Sequence, residues 1–232
     1  MIRFDNVSKV YARGAKPALD DVSVEIERGD FVFLVGSSGS GKSTFLKLIL
    51  REERPTTGDV FVAGRHLNRL SSWRVPQLRR EIGAVFQDFR LLPNKTVYQN
   101  VAFALQVIGK KRHVINSSVP EILELVGLAG KEKRLPHELS GGEQQRVAIA
   151  RAFVKRPRIV WADEPTGNLD THTASDVLHL MREFHAAGQT LVVVTHDHQI
   201  GTSSERLVQM IDGLVNYDGH PDGAPPDPTF DS

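Results

Sequence analysis

An α/β fold built around a phosphate-binding loop is predicted by three features of this sequence. Phe31-Val32-Phe33-Leu34-Val35 is a nearly continuous apolar run, the pattern of a strand covered on both faces. It opens directly into Gly36-Ser37-Ser38-Gly39-Ser40-Gly41-Lys42-Ser43 and then into Phe45-Leu46-Lys47-Leu48-Ile49-Leu50, which reads as strand, loop and helix. Two further buried-strand runs, Arg158 to Asp163 and Thr190 to Thr195, enclose a helical stretch from Thr171 to Ala187 that Gly188 ends.

The remaining elements follow in order. Ile2 to Ile26 alternates apolar and polar residues in pieces, with a Gly/Pro-bearing break from Arg13 to Pro17, and predicts antiparallel strands. Asp59 to Ala63, after Thr56-Thr57-Gly58, and Ile82 to Phe86 predict two more strands. From Asn94 to about Arg134 the spacing turns helical, with Val97, Val101, Ala104 and Leu105 on one face and Val119, Ile122, Leu123 and Val126 on another. The expected organisation is a single domain over 1–215 with a mixed-sheet core in about 1–90 and 136–215, an N-terminal antiparallel β subdomain, and a helical insertion over about 91–135. Residues 216–232 are rich in Gly, Pro and Asp and are expected to form a disordered tail.

Composition narrows the function. The 29 Lys and Arg balance the 28 Asp and Glu, so no global field draws the chain to nucleic acid, and none is expected as a partner. The absence of cysteine excludes disulfides and thiolate metal sites. Every apolar run is shorter than the roughly 20 residues that span a bilayer, and the start lacks a signal-peptide core, so a soluble or peripheral cytoplasmic protein is expected.

The chemistry concentrates in a few places. In Gly36 to Ser43 the glycines let backbone amides turn around phosphates, Lys42 neutralises β and γ charge, and the Ser43 hydroxyl suits magnesium, with Thr44 next in line. Asp163 and Glu164 end an apolar strand at the edge where open α/β sheets bind ligands; Asp163 suits a magnesium anchor and Glu164 a base that polarises water. The alternative is a pair of acids capping a helix before Pro165. His196 ends the Leu191 to Thr195 strand and could sense a γ-phosphate, while Gln87 ends the Ile82 to Phe86 strand and could reach the metal or the water. Ser140-Gly141-Gly142-Glu143, after Leu139, opens a second helix whose amides can hold phosphate, or else forms a simple capping box between Ser140 and Glu143. That turn lies about a hundred residues after Lys42, beyond the helical insertion, so a head-to-tail dimer in which each turn caps the other protomer's nucleotide is expected.

In this order the motifs, from Ile2 to about Tyr217, resemble the ATP-binding subunits of ABC systems. The resemblance makes Gly36 to Ser43 the Walker A loop, Gln87 the Q-loop, Leu139 to Glu143 the signature, Ile159 to Asp163 Walker B, Glu164 the catalytic glutamate, Asn168-Leu169-Asp170 the D-loop and His196 the switch histidine. Tyr11 matches the aromatic that stacks on adenine, or else is a strand aromatic of the core. Arg51 to Pro55 and Val85 to Val101 are similar to the cell-division branch of the family. That branch implies ATP and Mg2+, a homodimer, an integral membrane subunit resembling FtsX, possible contacts with other division proteins, and control of cell-wall hydrolases from the cytoplasmic face. The rivals are an ABC exporter or lipoprotein-release ATPase and a nucleotide-switched scaffold. Phe89, Leu91, Leu92 and Tyr98 are candidate contacts for the membrane subunit, or core residues of the insertion. Two departures stand out: Glu143 replaces the Gln of many relatives, and the bulky Trp161 stands where an aliphatic residue is usual.

Overall fold

The computed structural model describes residues 1–12, 14–196 and 204–225. The chain divides into two compact units, one formed by Met1–Arg79 and the segment from Gln189 onward, the other by Arg80–Gly188.

In chain order the first unit begins with β1 (Ile2–Lys9), β2 (Leu19–Ile26), β3 (Phe31–Val35), α1 (Lys42–Ile49), β4 (Thr57–Val62), β5 (Arg65–His66) and α2 (Val75–Arg80). The second carries β6 (Ile82–Phe86), α3 (Val97–Val107), α4 (Arg112–Leu125), α5 (Gly141–Phe153), β7 (Ile159–Asp163) and α6 (Thr171–Ala186). The chain then returns to the first with β8 (Thr190–Thr195), β9 (Arg206–Ile211) and β10 (Leu214–Gly219).

The first unit holds two sheets. Antiparallel β2, β1, β4 and β5 lie in that order, and the β1–β2 pairing is the part that the N-terminal alternation predicts. The second sheet is mixed: β3 runs parallel to both β8 and β9, and β10 turns back antiparallel to β9. All five residues of β3 and all six of β8 are buried, which is why β3 and the Leu191–Val194 stretch of β8 read as unbroken apolar runs instead of alternating ones. Phe4 of β1 stacks on Phe45 of α1 with centroids 4.2 Å apart, so the antiparallel sheet and the helix after the phosphate loop share a core.

In the second unit β6 and β7 pair in parallel, and the register runs unbroken through Ala84 opposite Trp161. Trp161 is fully buried, so the bulky ring is accommodated within the packing. The expected helical block 91–135 lies in this unit together with β6, α5, β7 and α6, so the compact division falls elsewhere than the expected boundary between core and insertion. Capping boxes start α3, where Thr96 pairs with Gln99, and α5, where Ser140 pairs with Glu143. Asp170 caps α6.

The tail expected from Asn216 needs correction. Asn216–Gly219 belongs to β10, and a 3-10 turn follows at Pro221–Gly223; within the expected tail, 226–232 lies outside the described residues. The cause is a two-residue hairpin in which Asp212 and Gly213 both adopt positive φ, 53° and 88°, joining β10 to the buried β9. Strand pairing holds polar residues that could not bury themselves alone.

Lys155, just past α5, donates to the carbonyl of Ile82, and burial lowers its ammonium from the ordinary 10.5 to about 8. Between those two values the unfolded chain binds a proton that the folded chain has released, so this group makes stability rise with pH across that window. Lys155→Met is expected to flatten that rise, as read from urea midpoints between neutral pH and about pH 10.

Candidate nucleotide site

Within the first unit the phosphate loop is held by its strand and by a tight approach of neighbouring backbone. Gly41, the N-cap of α1, has φ 106°, and a Cβ there would sit 2.5 Å from the carbonyl oxygen of Ala18. Only glycine fits. Ser40 is buried, and its carbonyl accepts from the Gly213 amide at 3.0 Å, while Ser38 and Gly39 form the exposed tip. Lys42 curls over the loop, its ammonium donating to the carbonyls of Gly36 at 2.6 Å and Ser37 at 2.8 Å and to the Ser40 hydroxyl at 3.3 Å. The first turn of α1 carries no acidic residue, and Ser43 is exposed there, so its amides and the lysine charge act in the same sense on an anion.

Tyr11 is 52% exposed, which removes the core-aromatic alternative. Its hydroxyl lies 3.3 Å from that of buried Thr44, and the ammonium of Lys9 sits 4.9 Å from its ring centroid. A flat aromatic face therefore stands beside the start of α1. Because β3 and β8 are parallel with Val35 opposite Thr195, the residues that follow them, Gly36 and His196, leave the same carboxyl edge side by side. His196 is exposed there. Residues 197–203, next along, lie outside the described set.

The second unit repeats this logic. With Phe86 opposite Asp163 at the parallel ends of β6 and β7, Gln87 and Glu164 emerge together at that sheet's carboxyl edge. Asp163 and Glu164 are half-buried, and Glu164 adopts φ 46°, a left-handed conformation that costs a residue with a Cβ about 1–2 kcal/mol. The Gly167 amide donates to the Glu164 carbonyl at 3.1 Å and holds the turn. Neither acid caps a helix; Asp170 does, accepting from the Thr173 amide at 3.0 Å and hydroxyl at 2.7 Å, and the bond from that hydroxyl is the first cause that holds its carboxyl below the usual range.

Gln87 is exposed and tied to the D-loop segment: Asn168 donates to the Gln87 carbonyl at 2.9 Å, and the Gln87 amide meets Asn168 Oδ1 at 3.4 Å. The Ser140 turn sits against the same segment. A Cβ at Gly142 would lie 2.2 Å from Thr173 Cγ2, and the side chains of Leu169 and Phe89 approach Gly141. Ser140 and Gly141 remain exposed. Glu143 faces inward, accepting from the Ser140 amide at 2.9 Å and from Lys131, which is the main cause of its depressed carboxyl pKa. The capping box is present, and its side chains turn inward while the outer face of the turn stays exposed.

One residue was missed by the sequence reading. Arg151 of α5 donates to the carbonyls of Phe89, at 2.7 Å, and Arg90, and these two residues both hold positive φ, 56° and 47°. The helix opened by Ser140 thus grips the loop that follows Gln87. No local pattern marks it, since Arg151 reads simply as one of the two arginines on α5. Phe89, Leu91, Leu92 and Tyr98 are half-buried; Leu92 and Tyr98 bond to Asn100 and Asn116.

Phosphate loop, parallel-strand edges and a second glycine turn are the frame of an ATP-binding cassette, and the ABC transporter family matches residues 19–167. The chain belongs to that family, an ATPase family. Within it, the chain is 59% identical over 219 residues to the cell division ATP-binding protein FtsE of Mycobacterium tuberculosis, covering 94% of this chain and 95% of that protein. It is 48% identical over 219 residues to FtsE of Bacillus subtilis, covering 94% and 96%. Among solved structures, the dimeric post-hydrolysis state of the ATP-binding cassette MJ0796 bound to ADP and Pi matches with TM-score 0.84 and 36% identity, over 97% of this chain and 100% of that one.

Proposed function

We propose that this chain is the ATP-hydrolysing subunit of a membrane-associated complex of bacterial cell division, acting at the cytoplasmic face with an integral subunit resembling FtsX to control peptidoglycan hydrolysis. The observation that carries the ATPase reading is the loop in which Lys42 and the acid-free start of α1 converge. The division role is supported by the likeness to FtsE along 94% of the chain. No helix among the described residues is long and apolar enough to cross a membrane.

In this reading Gly36, Ser37, Ser38, Gly39, Ser40, Gly41 and Thr44 shape the nucleotide site, Lys42 holds the β and γ phosphates, and Tyr11 stacks on adenine. The Ser43 hydroxyl, the Asp163 carboxylate and the Gln87 amide each offer a hard oxygen donor of the kind that would hold Mg2+ alongside substrate phosphates. When bound it supplies charge neutralisation on those phosphates. Glu164 takes up the proton of the attacking water, and His196 contacts the γ-phosphate. Ser140, Gly141 and Gly142 present the α5 amides to the nucleotide of a second copy, with Glu143 holding the turn and Asp170 the neighbouring segment.

The test is purification of the tagged chain from its own membranes, followed by identification of what comes with it. Recovery of an FtsX-like integral protein is the expected result. Recovery of a solute exporter instead would overturn the division role and leave the ATPase standing.

A further inference from the structure

The near balance of charge hides a local imbalance. Residues 89–120 contain Arg90, Lys95, Lys110, Lys111 and Arg112 and not one Asp or Glu. Three of those cations sit together at the turn between α3 and α4, where 106–113 is exposed except for the half-buried Ile108. Phe103 and Val107, one turn apart on α3, lead into the same turn and are 46% and 56% exposed. These are two of the few large apolar side chains that the described residues leave in water.

Helix stability does not account for the arrangement. Lys111 is the N-cap of α4, with no side-chain cap, and Arg112 and His113 occupy its first turn, the end of a helix where positive charge is unfavourable. No ion pair relieves Lys110, Lys111 or Arg112 among the described residues. The surface is the exposed end of a helical hairpin, apolar on one flank and cationic at the tip.

We propose that this hairpin end rests on an anionic phospholipid surface, with Lys110, Lys111 and Arg112 on headgroup phosphates and Phe103 and Val107 at the acyl boundary. Apolar side chains beside uncompensated cations are the combination that lies in a membrane interface, whereas a nucleic-acid backbone has no use for Val107. Contact of this size is weak alone, and stable attachment takes a second signal. The integral subunit proposed above supplies it, so the inference rests on that reading for its cellular role. The lipid then orients the ATPase instead of anchoring it.

The experiment is co-sedimentation of the full chain, without any membrane partner, with vesicles of phosphatidylcholine alone and of phosphatidylcholine mixed with phosphatidylglycerol. Binding to the mixed vesicles only, weakened by salt, is expected. Substituting Lys110→Gln, Lys111→Gln and Arg112→Gln together is expected to lower it about a hundredfold. The pair Phe103→Ser and Val107→Ser is expected to remove the part that survives high salt. ATP turnover by each variant checks folding, and a failure of the ATPase reading would show there in the parent chain, apart from the vesicle result. Equal binding to both vesicles, none to either, or an unchanged triple variant would overturn the proposal; so would single-stranded RNA displacing the chain from vesicles through the same three cations.

Discussion

Glu164→Gln is expected to leave ATP binding intact, lower steady turnover by about 10²- to 10⁴-fold, and convert the ATP-bound chain into a stable dimer. Glutamine keeps the size of the side chain and its hydrogen-bonding reach, so the left-handed turn at φ 46° and its bond from Gly167 are retained while the basic carboxylate is lost. In the proposed arrangement the nucleotide then persists, and with it the interface between each exposed Ser140 turn and the other copy's phosphates. Phosphate release measures the rate, and light scattering during chromatography with and without ATP measures the mass. A strictly monomeric profile with ATP present would count against the head-to-tail arrangement, and undiminished turnover would remove Glu164 from the chemistry.

Lys42→Ala is expected to abolish measurable turnover and weaken ATP binding by about 10- to 150-fold. That range corresponds to losing roughly 1.5–3 kcal/mol of charged hydrogen bonding. The lysine is pre-positioned: its ammonium already spans the carbonyls of Gly36 and Ser37 within the loop, so little side-chain freedom remains to be lost on binding phosphate. The fold should survive, because the loop's shape rests on glycines and on the bond from Gly213 to Ser40. Titration with a fluorescent ATP analogue alongside thermal unfolding separates the two effects. Wild-type affinity in this variant would mean that the backbone amides alone hold the phosphates.

Much of the fold was legible because its signals are local. A short apolar run rich in β-branched and aromatic residues between polar segments reads as a strand covered on both faces, and β3, β7 and β8 appear where such runs lie. Ser140 followed by Glu143 announces a helix start by itself. The missed elements carried weaker or overlooked signals. The short α2 has a single buried apolar residue, Leu78, and therefore no period to read. The hairpin of β9 and β10 has a local marker in Asp212-Gly213, just ahead of the polar residues that were expected to form a tail.

By itself the sequence determined the candidates for the chemistry of this protein and their order along the chain, because glycine, lysine, carboxylate and apolar runs impose their conformations over a few residues. It also determined the family, through the same motifs. Only the tertiary structure decided what each motif touches. That Asn168 holds Gln87, that Arg151 grips Phe89 and Arg90 in left-handed conformations, and that Glu143 turns inward to Lys131 depends on which buried strands pair and in what register. Partners separated by some 60 or 80 residues meet only when strand pairing and core packing bring their elements together, and no local pattern records that encounter.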